Sequence, residues 1–521
     1  MLVQIGGVKT KLSETAVNWA KKHIQNFYDS DFFYKPFEFD GLWANWNEVS
    51  EHLTHKDIQS FVVKKPIFYP APKKGVGFRI VHQLDPIDSL VYTSLAYEIA
   101  QKVEDKRLSN ETIFSYRIDL NDQGDFFVGG SGYDAFKAKS GELAESFNYV
   151  LVTDITDFYN QIYHHRLQNA IELCDPSLNE LSTDIEIFLM KITNKVSRGI
   201  PVGPAASIIM AEALFNDIDE FIYAKNQNYV RYVDDIRIFS NSKIELENIL
   251  HDLTEYLYQN HRLTLSSHKT EIFESIDFIL GMLENPNEQE RTAIHQALSD
   301  LNIQVGGDYC DVEPINGINE LPQESRIKVQ GLAFQKLMSE IVSSDRLDLG
   351  LARHILRRAK KLRSRVILKN LLNNFDFFTP VIRDVILYLE EVSSEKMFEY
   401  HQNELERVLK ESNSLKYPFI NYWITTFFAT TSYSSSYPFI KDFINQKGDL
   451  RAKALFAVKD NRVWWVRREK DRIDHVSPWE RRAIIYSGRL LSDGERGHWM
   501  NSIIRDGDLE DKSMAIWIKS L

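Results

Sequence analysis

The chain has 521 residues, 43% of them hydrophobic, and a formal net charge of −12. A chain of this length buries substantial hydrophobic cores and is expected to hold two to four domains. The two cysteines, Cys174 and Cys310, argue against a disulfide framework and are consistent with a reducing compartment. Neither a signal peptide nor an apolar run long enough to span a bilayer is evident. We therefore expect a cytoplasmic protein without a membrane partner.

The first informative predicted element is an apolar strand that ends in a carboxylate. Residues 149–153 have the sequence Tyr-Val-Leu-Val-Thr, and Asp154 follows where the pattern breaks into a polar and aromatic turn. About eighty residues later, residues 229–239 alternate like a strand but are interrupted by Asp234 and Asp235. Adjacent carboxylates at the tip of a tight hairpin present oxygen ligands from a rigid support, which suits Mg²⁺.

The alternative interpretation of Asp234 and Asp235 is an ordinary turn between two strands. A partner carboxylate at Asp154 favours the metal site instead. Two metal ions about 3.5–4 Å apart, bridged by Asp154 and Asp234, would activate a 3′-hydroxyl and hold a triphosphate. Catalysis would then consist mostly of positioning and charge neutralisation.

Together these segments resemble the palm of a reverse transcriptase, and further segments follow in the family's order over roughly residues 60–285. The resemblance implies a right-hand polymerase of the α+β class with fingers and palm, and Mg²⁺ as cofactor, with Mn²⁺ as an alternative. The further segments are 72–81, similar to the fingers hairpin; 198–207, similar to the loop and helix under the template and incoming base; 261–270, similar to the segment with a lysine acid; and 278–281, similar to the primer-grip hairpin.

The resemblance also implies roles for individual residues. Asp154 and Asp234 are the leading metal ligands, Asp235 an auxiliary ligand, Ile155 a further contributor at the metal site, and Lys269 an acid for the departing pyrophosphate. Tyr159 would lie beneath the sugar of the incoming nucleotide and clash with a 2′-hydroxyl, which predicts dNTPs as substrates. The predicted dNTP-binding residues are Lys73, Lys74, Arg79, Phe158, Tyr159, Val202 and Gly203.

One position departs from the family pattern. Many reverse transcriptases have glutamine before the glycine of the 198–207 loop, where this chain has Val202. Glutamine offers hydrogen bonds to nucleotide and template, whereas valine offers only apolar contact. Similar departures occur in abortive-infection and other defence-associated bacterial reverse transcriptases, so the expected function is an antiphage DNA polymerase.

A cluster of cations lies in the C-terminal half. Residues 351–373 contain eight Lys or Arg residues and no Asp or Glu, and on a helix they leave most cations opposite an apolar stripe. This face is a candidate nucleic-acid channel, because aligned cations release counterions from phosphates. The alternative is a solvated helix paired with acidic neighbours. The candidate contact residues are Arg353, Arg357, Arg358, Lys361 and Arg365.

Helical patterns dominate beyond residue 325 and suggest an all-α, HEAT-like repeat domain without a clean sequence repeat. Helices are predicted near residues 326–343, 347–373, 380–393, 396–412, 416–430 and 436–446. The predicted domains are an N-terminal helical extension (1–58), a fingers-like region (59–148), a palm (149–285), a linker or thumb-replacing region (286–325) and the helical domain (326–521).

The mode of synthesis stays open at the level of sequence. Enzymes of the abortive-infection group can prime untemplated DNA from their own tyrosine, so that the DNA product stays covalently attached; the candidates here are Tyr34, Tyr433 and Tyr437. The alternatives are a defence enzyme that copies a partner noncoding RNA into repetitive cDNA, a retron-like or intron-like reverse transcriptase, and an inactive palm retained as a nucleic-acid-binding scaffold. A homo-oligomer is expected from the helical surfaces.

Overall fold

The computed structural model describes residues 10–28, 32–73, 77–127, 132–283 and 332–521. They form two compact units, each built from segments that are not contiguous in sequence. The first unit contains the described parts of 1–30, 50–67 and 82–312, and the second contains those of 31–49, 68–81 and 313–521. This interleaved division differs from the linear order of domains predicted above.

Six strands and eleven α-helices precede residue 284 in the described part of the chain. The strands are β1 (Ile67–Pro72), β2 (Phe78–Gln83), β3 (Tyr149–Asp154), β4 (Tyr229–Tyr232), β5 (Asp235–Ser240) and β6 (Glu271–Glu274). The helices are α1 (Glu14–Asn26), α2 (Glu38–Ala44), α3 (Trp46–His55), α4 (Pro86–Lys106), α5 (Tyr133–Ser146), α6 (Phe158–Gln161), α7 (His164–Cys174), α8 (Asn179–Ile192), α9 (Ala205–Lys225), α10 (Lys243–Tyr256) and α11 (Ser275–Phe278).

An antiparallel sheet with the strand order β4-β5-β3-β6 lies at the centre of the first unit. The inner residues of β3 and β5 are buried almost without interruption, so both faces of these strands are covered, and the charged residue Arg237 is buried among apolar neighbours. Val150, Val152 and Phe239 pack there against Phe136 of α5 and Phe278 of α11. The sheet is therefore a rigid support for whatever its strand ends carry.

Two long helices, α4 and α9, pack against each other in the first unit. Helix α9 begins directly after Pro204, whose extended conformation ends the preceding loop, and Pro86 occupies the first turn of α4. Both helices carry buried polar residues, including Glu212 and Asp219 on α9. Buried carboxylates need partners, and those of Glu212 and Asp219 include Arg231 on strand β4.

The second unit is largely helical after residue 331. Its helices in this part are α12 (Leu332–Ser343), α13 (Leu349–Lys361), α14 (Leu368–Asn373), α15 (Ile382–Val392), α16 (Glu395–Tyr400), α17 (Gln402–Glu411), α18 (Pro418–Thr430), α19 (Pro438–Lys447), α20 (Leu450–Lys459), α21 (Val463–Lys470), α22 (Pro478–Ser487), α23 (Asp493–Asp506) and α24 (Leu509–Ser520). No helix among the described residues is long and apolar enough to cross a membrane.

Buried charges join α2 to the C-terminal helices. Glu38 is fully buried and accepts hydrogen bonds from the guanidinium of Arg451 through both carboxylate oxygens. Arg482, also fully buried, lies 3.7 Å from Glu38. Asn45, which follows α2, donates to Ser513 at 3.1 Å. These contacts explain why residues 32–49 belong to the second unit rather than to a separate N-terminal extension.

Two local predictions need correction. The single helix predicted over 347–373 is broken between α13 and α14, because Arg363 adopts a left-handed φ of +48° that a helix does not accommodate. Residues 278–281 do not form a primer-grip hairpin. They continue α11 into a π-helical segment, Ile279–Leu283, and Phe278 is buried against Phe239 and Phe273.

Candidate active site

The strand ends that carry the carboxylates lie side by side in the central sheet. Asp154 at the end of β3 stands opposite Asp235 at the start of β5. Tyr232 at the end of β4 also stands opposite Asp235, so the β4–β5 hairpin has a loop of two residues, Val233 and Asp234. The register therefore brings Asp154, Asp234 and Asp235 to one end of the sheet.

The two-residue turn has a strained backbone. Val233 has a φ of +53°, a left-handed value that is rare for a β-branched residue. Such conformations cost about 1–3 kcal/mol each and persist only where the surrounding structure holds them. The carbonyl oxygen of Val233 accepts a hydrogen bond of 2.8 Å from Nη1 of Arg231. Arg231 therefore stabilises the turn that presents Asp234.

Arg231 is fully buried within a charged cluster. Its guanidinium donates to both carboxylate oxygens of Asp219, at 2.8 and 2.7 Å, and to Glu212, at 3.2 and 2.7 Å. Arg107 also pairs with Glu212, at 2.9 Å, so two arginines balance two carboxylates. Burial acts to lower the pKa of Arg231, but Asp219 and Glu212 raise it well above its usual value. The guanidinium therefore stays charged.

The segment before β6 holds Asp154 on its other side. The backbone N–H of Ser266 donates to the carbonyl oxygen of Asp154 at 2.8 Å. Nζ of Lys269 donates to Asp154 Oδ2 at 2.9 Å. The ammonium group thus offsets the charge of this carboxylate and occupies one of its oxygens. A cation at Asp154 would compete with Lys269 for that oxygen.

Asp235 has a different partner. Nη2 of Arg237, two residues later on β5, lies 3.3 Å from Asp235 Oδ2. The Arg237 guanidinium is buried between aromatic rings, 4.1 Å from the centre of Phe136 and 5.3 Å from that of Phe278. Burial raises the pKa of Asp235, and Arg237 acts in the opposite direction. Asp235 is thus the counter-ion of a buried arginine as well as a candidate ligand.

The donors at this end of the sheet suit a hard divalent cation chemically, because carboxylate oxygens are the ligands that Mg²⁺ prefers. The residues that would hold it are Asp154, Asp234 and Asp235. The side chain of Ile155 is 1% exposed, so only its carbonyl oxygen could contribute. Among the residues that the structure describes, no group of three or more His, Cys, Asp or Glu side chains is already arranged around a metal position.

The predicted nucleotide-binding residues of the palm lie in two segments that are bonded to each other. The carbonyl oxygen of Tyr159 accepts from the N–H of Ile200 at 3.0 Å. The side chain of Tyr159 is partly exposed. Phe158 differs from the prediction, because its side chain is 2% exposed and packs against Phe215, with ring centres 4.7 Å apart. It is a core residue.

The loop that contains Val202 and Gly203 is held by β2. Val202 is 8% exposed, and Gly203 has a φ of +134°, which favours glycine. The backbone N–H of His82 donates to the carbonyl oxygen of Val202 at 2.9 Å. In return, the N–H of Val202 donates to Nδ1 of His82 at 3.1 Å. His82 therefore fixes this loop through both its backbone and its side chain.

The predicted triphosphate clamp lies on the two-stranded β1–β2 hairpin. Arg79 is exposed on β2, in the part of the hairpin that belongs to the second unit. The N–H of Lys73 donates to the carbonyl oxygen of Gly77 at 2.9 Å and closes the described end of the hairpin. Lys74 lies outside the described residues.

The Lys and Arg side chains of residues 351–373 are less exposed than the sequence pattern predicts. Arg358 is 2% exposed and faces the interior, so it does not belong to the outer face where it was predicted. Arg353 and Arg357 both pair with Asp384, at 3.6 and 3.1 Å. Arg365 lies after the break in the helix and donates to the carbonyl oxygen of Val392 at 3.1 Å. Intramolecular pairing thus occupies several of these cations.

The three candidate priming tyrosines occupy different environments. The Tyr34 hydroxyl donates to Glu390 Oε1 at 2.8 Å, and its ring contacts Tyr422 and Trp423. Burial, together with Glu390, raises the pKa of Tyr34 well above its usual value. Tyr433 and Tyr437 both pack against the ring of Phe398. Within the described residues, Tyr34 is the one of these three tyrosines whose hydroxyl is hydrogen-bonded to a carboxylate.

Sequence reasoning missed Arg231, Arg237 and His82. Each interrupts or ends an otherwise apolar strand pattern, so each was a polar residue in a place where burial was expected. That conflict is the signal that could have identified them, because a buried polar group requires a specific partner. The main partners of Arg231 and His82, however, lie on α9 and in the Val202 loop, at distances along the chain that no local pattern connects, whereas Asp235, the partner of Arg237, is only two residues away.

The chain matches the family model described as reverse transcriptase (RNA-dependent DNA polymerase) over residues 74–284, less than half of its length. The sequence has no match among curated proteins. Similar solved structures include telomerase from Candida albicans in complex with a fragment of telomeric RNA, at 12% identity and a TM-score of 0.31 over 71% of this chain and 65% of that one. Apo telomerase from Candida tropicalis matches at 10% identity and a TM-score of 0.31, over 74% of this chain and 72% of that one.

The chain thus spans less than two thirds of the first of these telomerases, and at such scores neither structure bears on function. The family match, in contrast, contains the paired strands and the two-residue turn described above. Residues 74–284 of this chain are therefore a reverse transcriptase domain.

Proposed function

We propose that this protein is a DNA polymerase of reverse-transcriptase type that joins dNTPs by metal-dependent phosphoryl transfer. The observation that supports the proposal most directly is the pairing of Asp154 with Asp235, beside the two-residue turn that carries Asp234. Bound Mg²⁺, with Mn²⁺ as an alternative, would activate the attacking hydroxyl and neutralise the charge on the leaving pyrophosphate.

The protein's own groups have distinct roles in this proposal. Asp154 and Asp234 are the principal metal ligands, and Asp235, which also neutralises Arg237, is auxiliary. Lys269 is held within hydrogen-bonding distance of Asp154 and is the acid that donates a proton to the leaving pyrophosphate. Arg79, exposed on the β1–β2 hairpin, binds the triphosphate.

Tyr159 supplies the discrimination between deoxyribose and ribose in this proposal. We expect Tyr159→Ala to reduce the preference for dATP over ATP by about a hundredfold, because it removes the ring that a 2′-hydroxyl would strike. The measurement is the ratio of kcat/KM for the two nucleotides. Tyr258→Ala, at an exposed tyrosine of the same unit, is the matched control. An unchanged ratio would assign Tyr159 to packing alone.

The mode of priming that we propose is untemplated synthesis from a tyrosine of the chain, with Tyr34 first among the candidates. In the first step the Tyr34 oxygen would bond to the α-phosphorus of a dNTP as the bond to pyrophosphate breaks. The phenolic proton would pass to Glu390, which already accepts a hydrogen bond from it. Burial raises the pKa of Glu390, and the hydrogen bond from Tyr34 acts in the opposite direction.

Tyr34→Phe is accordingly expected to abolish covalent attachment of DNA to the protein. Protein purified from cells would be digested with protease, and the remaining peptide–nucleotide adducts identified by mass spectrometry and sequenced. Tyr433→Phe and Tyr437→Phe serve as matched controls and should retain the adduct. An adduct that survives in Tyr34→Phe but disappears in one of the controls would reassign the primer.

The same purification distinguishes the alternatives. A defined noncoding RNA that co-purifies with complementary, repetitive cDNA would indicate templated synthesis by a defence enzyme. A retron-like or intron-like enzyme would extend an added RNA template with ordinary primers. A protein that binds nucleic acid without incorporating dNTPs would be a scaffold, although the retained carboxylates count against that outcome because unused buried charge is costly.

The biological setting is part of the proposal. The departure at Val202 and the helical C-terminal region both support an antiphage, abortive-infection enzyme that acts in the cytoplasm. We retain the HEAT-like repeat as a hypothesis for helices α12–α24 and a homo-oligomer as the expected assembly. The linear domain boundaries, including the linker at 286–325, also stay predictions; that linker lies outside the described residues.

A further inference from the structure

His82 holds the Val202 loop through a pair of reciprocal hydrogen bonds. Its backbone N–H donates to the carbonyl oxygen of Val202 at 2.9 Å, and the N–H of Val202 donates to its Nδ1 at 3.1 Å. The second bond shows which ring nitrogen lacks a proton. A backbone N–H can donate only to a ring nitrogen that bears no proton, so Nδ1 is an acceptor.

The state of the imidazole follows from this contact. A neutral imidazole has one N–H, and because Nδ1 lacks the proton, Nε2 must carry it. Burial lowers the pKa of His82 to about 4, so the neutral ring persists at physiological pH. The imidazole is thus locked in one tautomer, with a single donor at Nε2. Among the described residues, no hydrogen-bond partner is found for that donor.

The loop that His82 contacts is bonded to a segment of the predicted nucleotide site. The Val202 loop begins with Gly199, whose N–H donates to the carbonyl oxygen of Ile162 at 2.8 Å, and continues with Ile200, whose N–H donates to that of Tyr159 at 3.0 Å. Tyr159 in turn lies five residues after Asp154. Hydrogen bonds thus connect His82 to the Val202 loop, and that loop to the segment that follows Asp154.

We propose that His82 donates a hydrogen bond from Nε2 to the incoming deoxynucleoside triphosphate. This assignment rests on the proposed polymerase function. It would supply, from β2, the polar contact that Val202 cannot offer from the loop. The ring is partly exposed, and the loop bond fixes its orientation, so the donor is preorganised and little conformational entropy is lost when a nucleotide binds.

Two substitutions separate the two hydrogen bonds of the ring. In His82→Asn the amide reaches the position of Nδ1, which preserves an acceptor for the Val202 N–H but removes the Nε2 donor. In His82→Gln the amide reaches the position of Nε2, which preserves a donor toward the nucleotide but not the acceptor at Nδ1. A purely structural histidine should therefore tolerate asparagine better, whereas a nucleotide-binding histidine should tolerate glutamine better.

We expect His82→Asn to raise KM for dATP about tenfold, the effect of one lost hydrogen bond, with kcat changed less than about threefold. His82→Gln should recover most of this loss. Binding of 2-aminopurine deoxyriboside triphosphate in the presence of Mg²⁺, followed by fluorescence, should weaken in the same order. Melting temperatures of both variants would show that each one folds.

The opposite order, with His82→Gln as impaired as His82→Asn or more so, would overturn the inference and assign His82 to loop structure. An unchanged KM with weaker binding of a primer strand would overturn it as well. Both results can be interpreted only if the wild-type enzyme incorporates dATP. A wild-type protein that neither binds the fluorescent nucleotide nor incorporates dATP would instead contradict the proposed function itself.

Discussion

Asp234→Asn is expected to reduce dNTP incorporation about a thousandfold or more without unfolding the protein. The substitution keeps the size of the side chain and its place in the two-residue turn, but removes the negative charge from a principal metal ligand. Charge stabilisation by a metal ion contributes several kcal/mol to such reactions, and each 1.36 kcal/mol corresponds to about tenfold in rate. The loss should therefore appear in kcat, with a modest change in the melting temperature.

The measurement is incorporation of labelled dATP by the purified full chain over a range of Mg²⁺ concentrations. Asp252→Asn is a matched control, because this aspartate pairs with Lys225 at the surface of the same unit and is not one of the proposed metal ligands. It should behave as the wild type. Incorporation by Asp234→Asn within tenfold of the control would contradict the assignment of Asp234 as a principal ligand.

The carboxylate site was largely predictable because its parts are local. Asp154 and the Asp234–Asp235 pair each end or interrupt a short apolar strand, and the family order of the segments predicts that the two strands are neighbours. The structure adds the register, in which Asp154 stands opposite Asp235. It also adds the partners Lys269 and Arg237, which make the two paired carboxylates electrostatically different from each other.

Other features were not predictable from the sequence, for identifiable physical reasons. Arg358 follows the pattern of an exposed cation, yet it is buried, because helical spacing places it at the border of the apolar stripe of α13. The break at Arg363 depends on a residue with a left-handed φ, and no glycine or proline at that position predicts it from the sequence. Assignment of residues 32–49 to the second unit depends on ion pairs such as Glu38 with Arg451, more than 400 residues apart.

Arg231 shows the largest difference between what the sequence pattern indicates and what the structure contains. In the sequence it interrupts the apolar and aromatic residues of β4, and no local pattern identifies the partners of its charge. In the structure it is fully buried and makes five hydrogen bonds, four to Asp219 and Glu212 and one to the carbonyl oxygen of Val233. The stability of the first unit and the shape of the metal-binding turn therefore depend on the same side chain.

We expect Arg231→Met to lower the free energy of unfolding by about 3–5 kcal/mol, the typical effect of removing one partner from a buried ion pair. Methionine fills much of the volume, but Asp219 and Glu212 then share only the charge of Arg107. A domain is commonly stable by about 5–15 kcal/mol, so the first unit would be severely weakened. Urea denaturation followed by circular dichroism measures the change, and Arg166→Met, at an exposed arginine of the same unit, is the control.

A second substitution tests whether uncompensated charge is the cause. In Arg231→Met combined with Asp219→Asn, Glu212 still pairs with Arg107, and the buried cluster is neutral again. The double variant should therefore be more stable than Arg231→Met alone, which is the coupling that a double-mutant cycle detects. Equal stability would show that packing, rather than charge balance, dominates the cluster. Because the hydrogen bond to Val233 is absent in both variants, the recovered stability should not restore dNTP incorporation, since the turn that carries Asp234 stays unsupported.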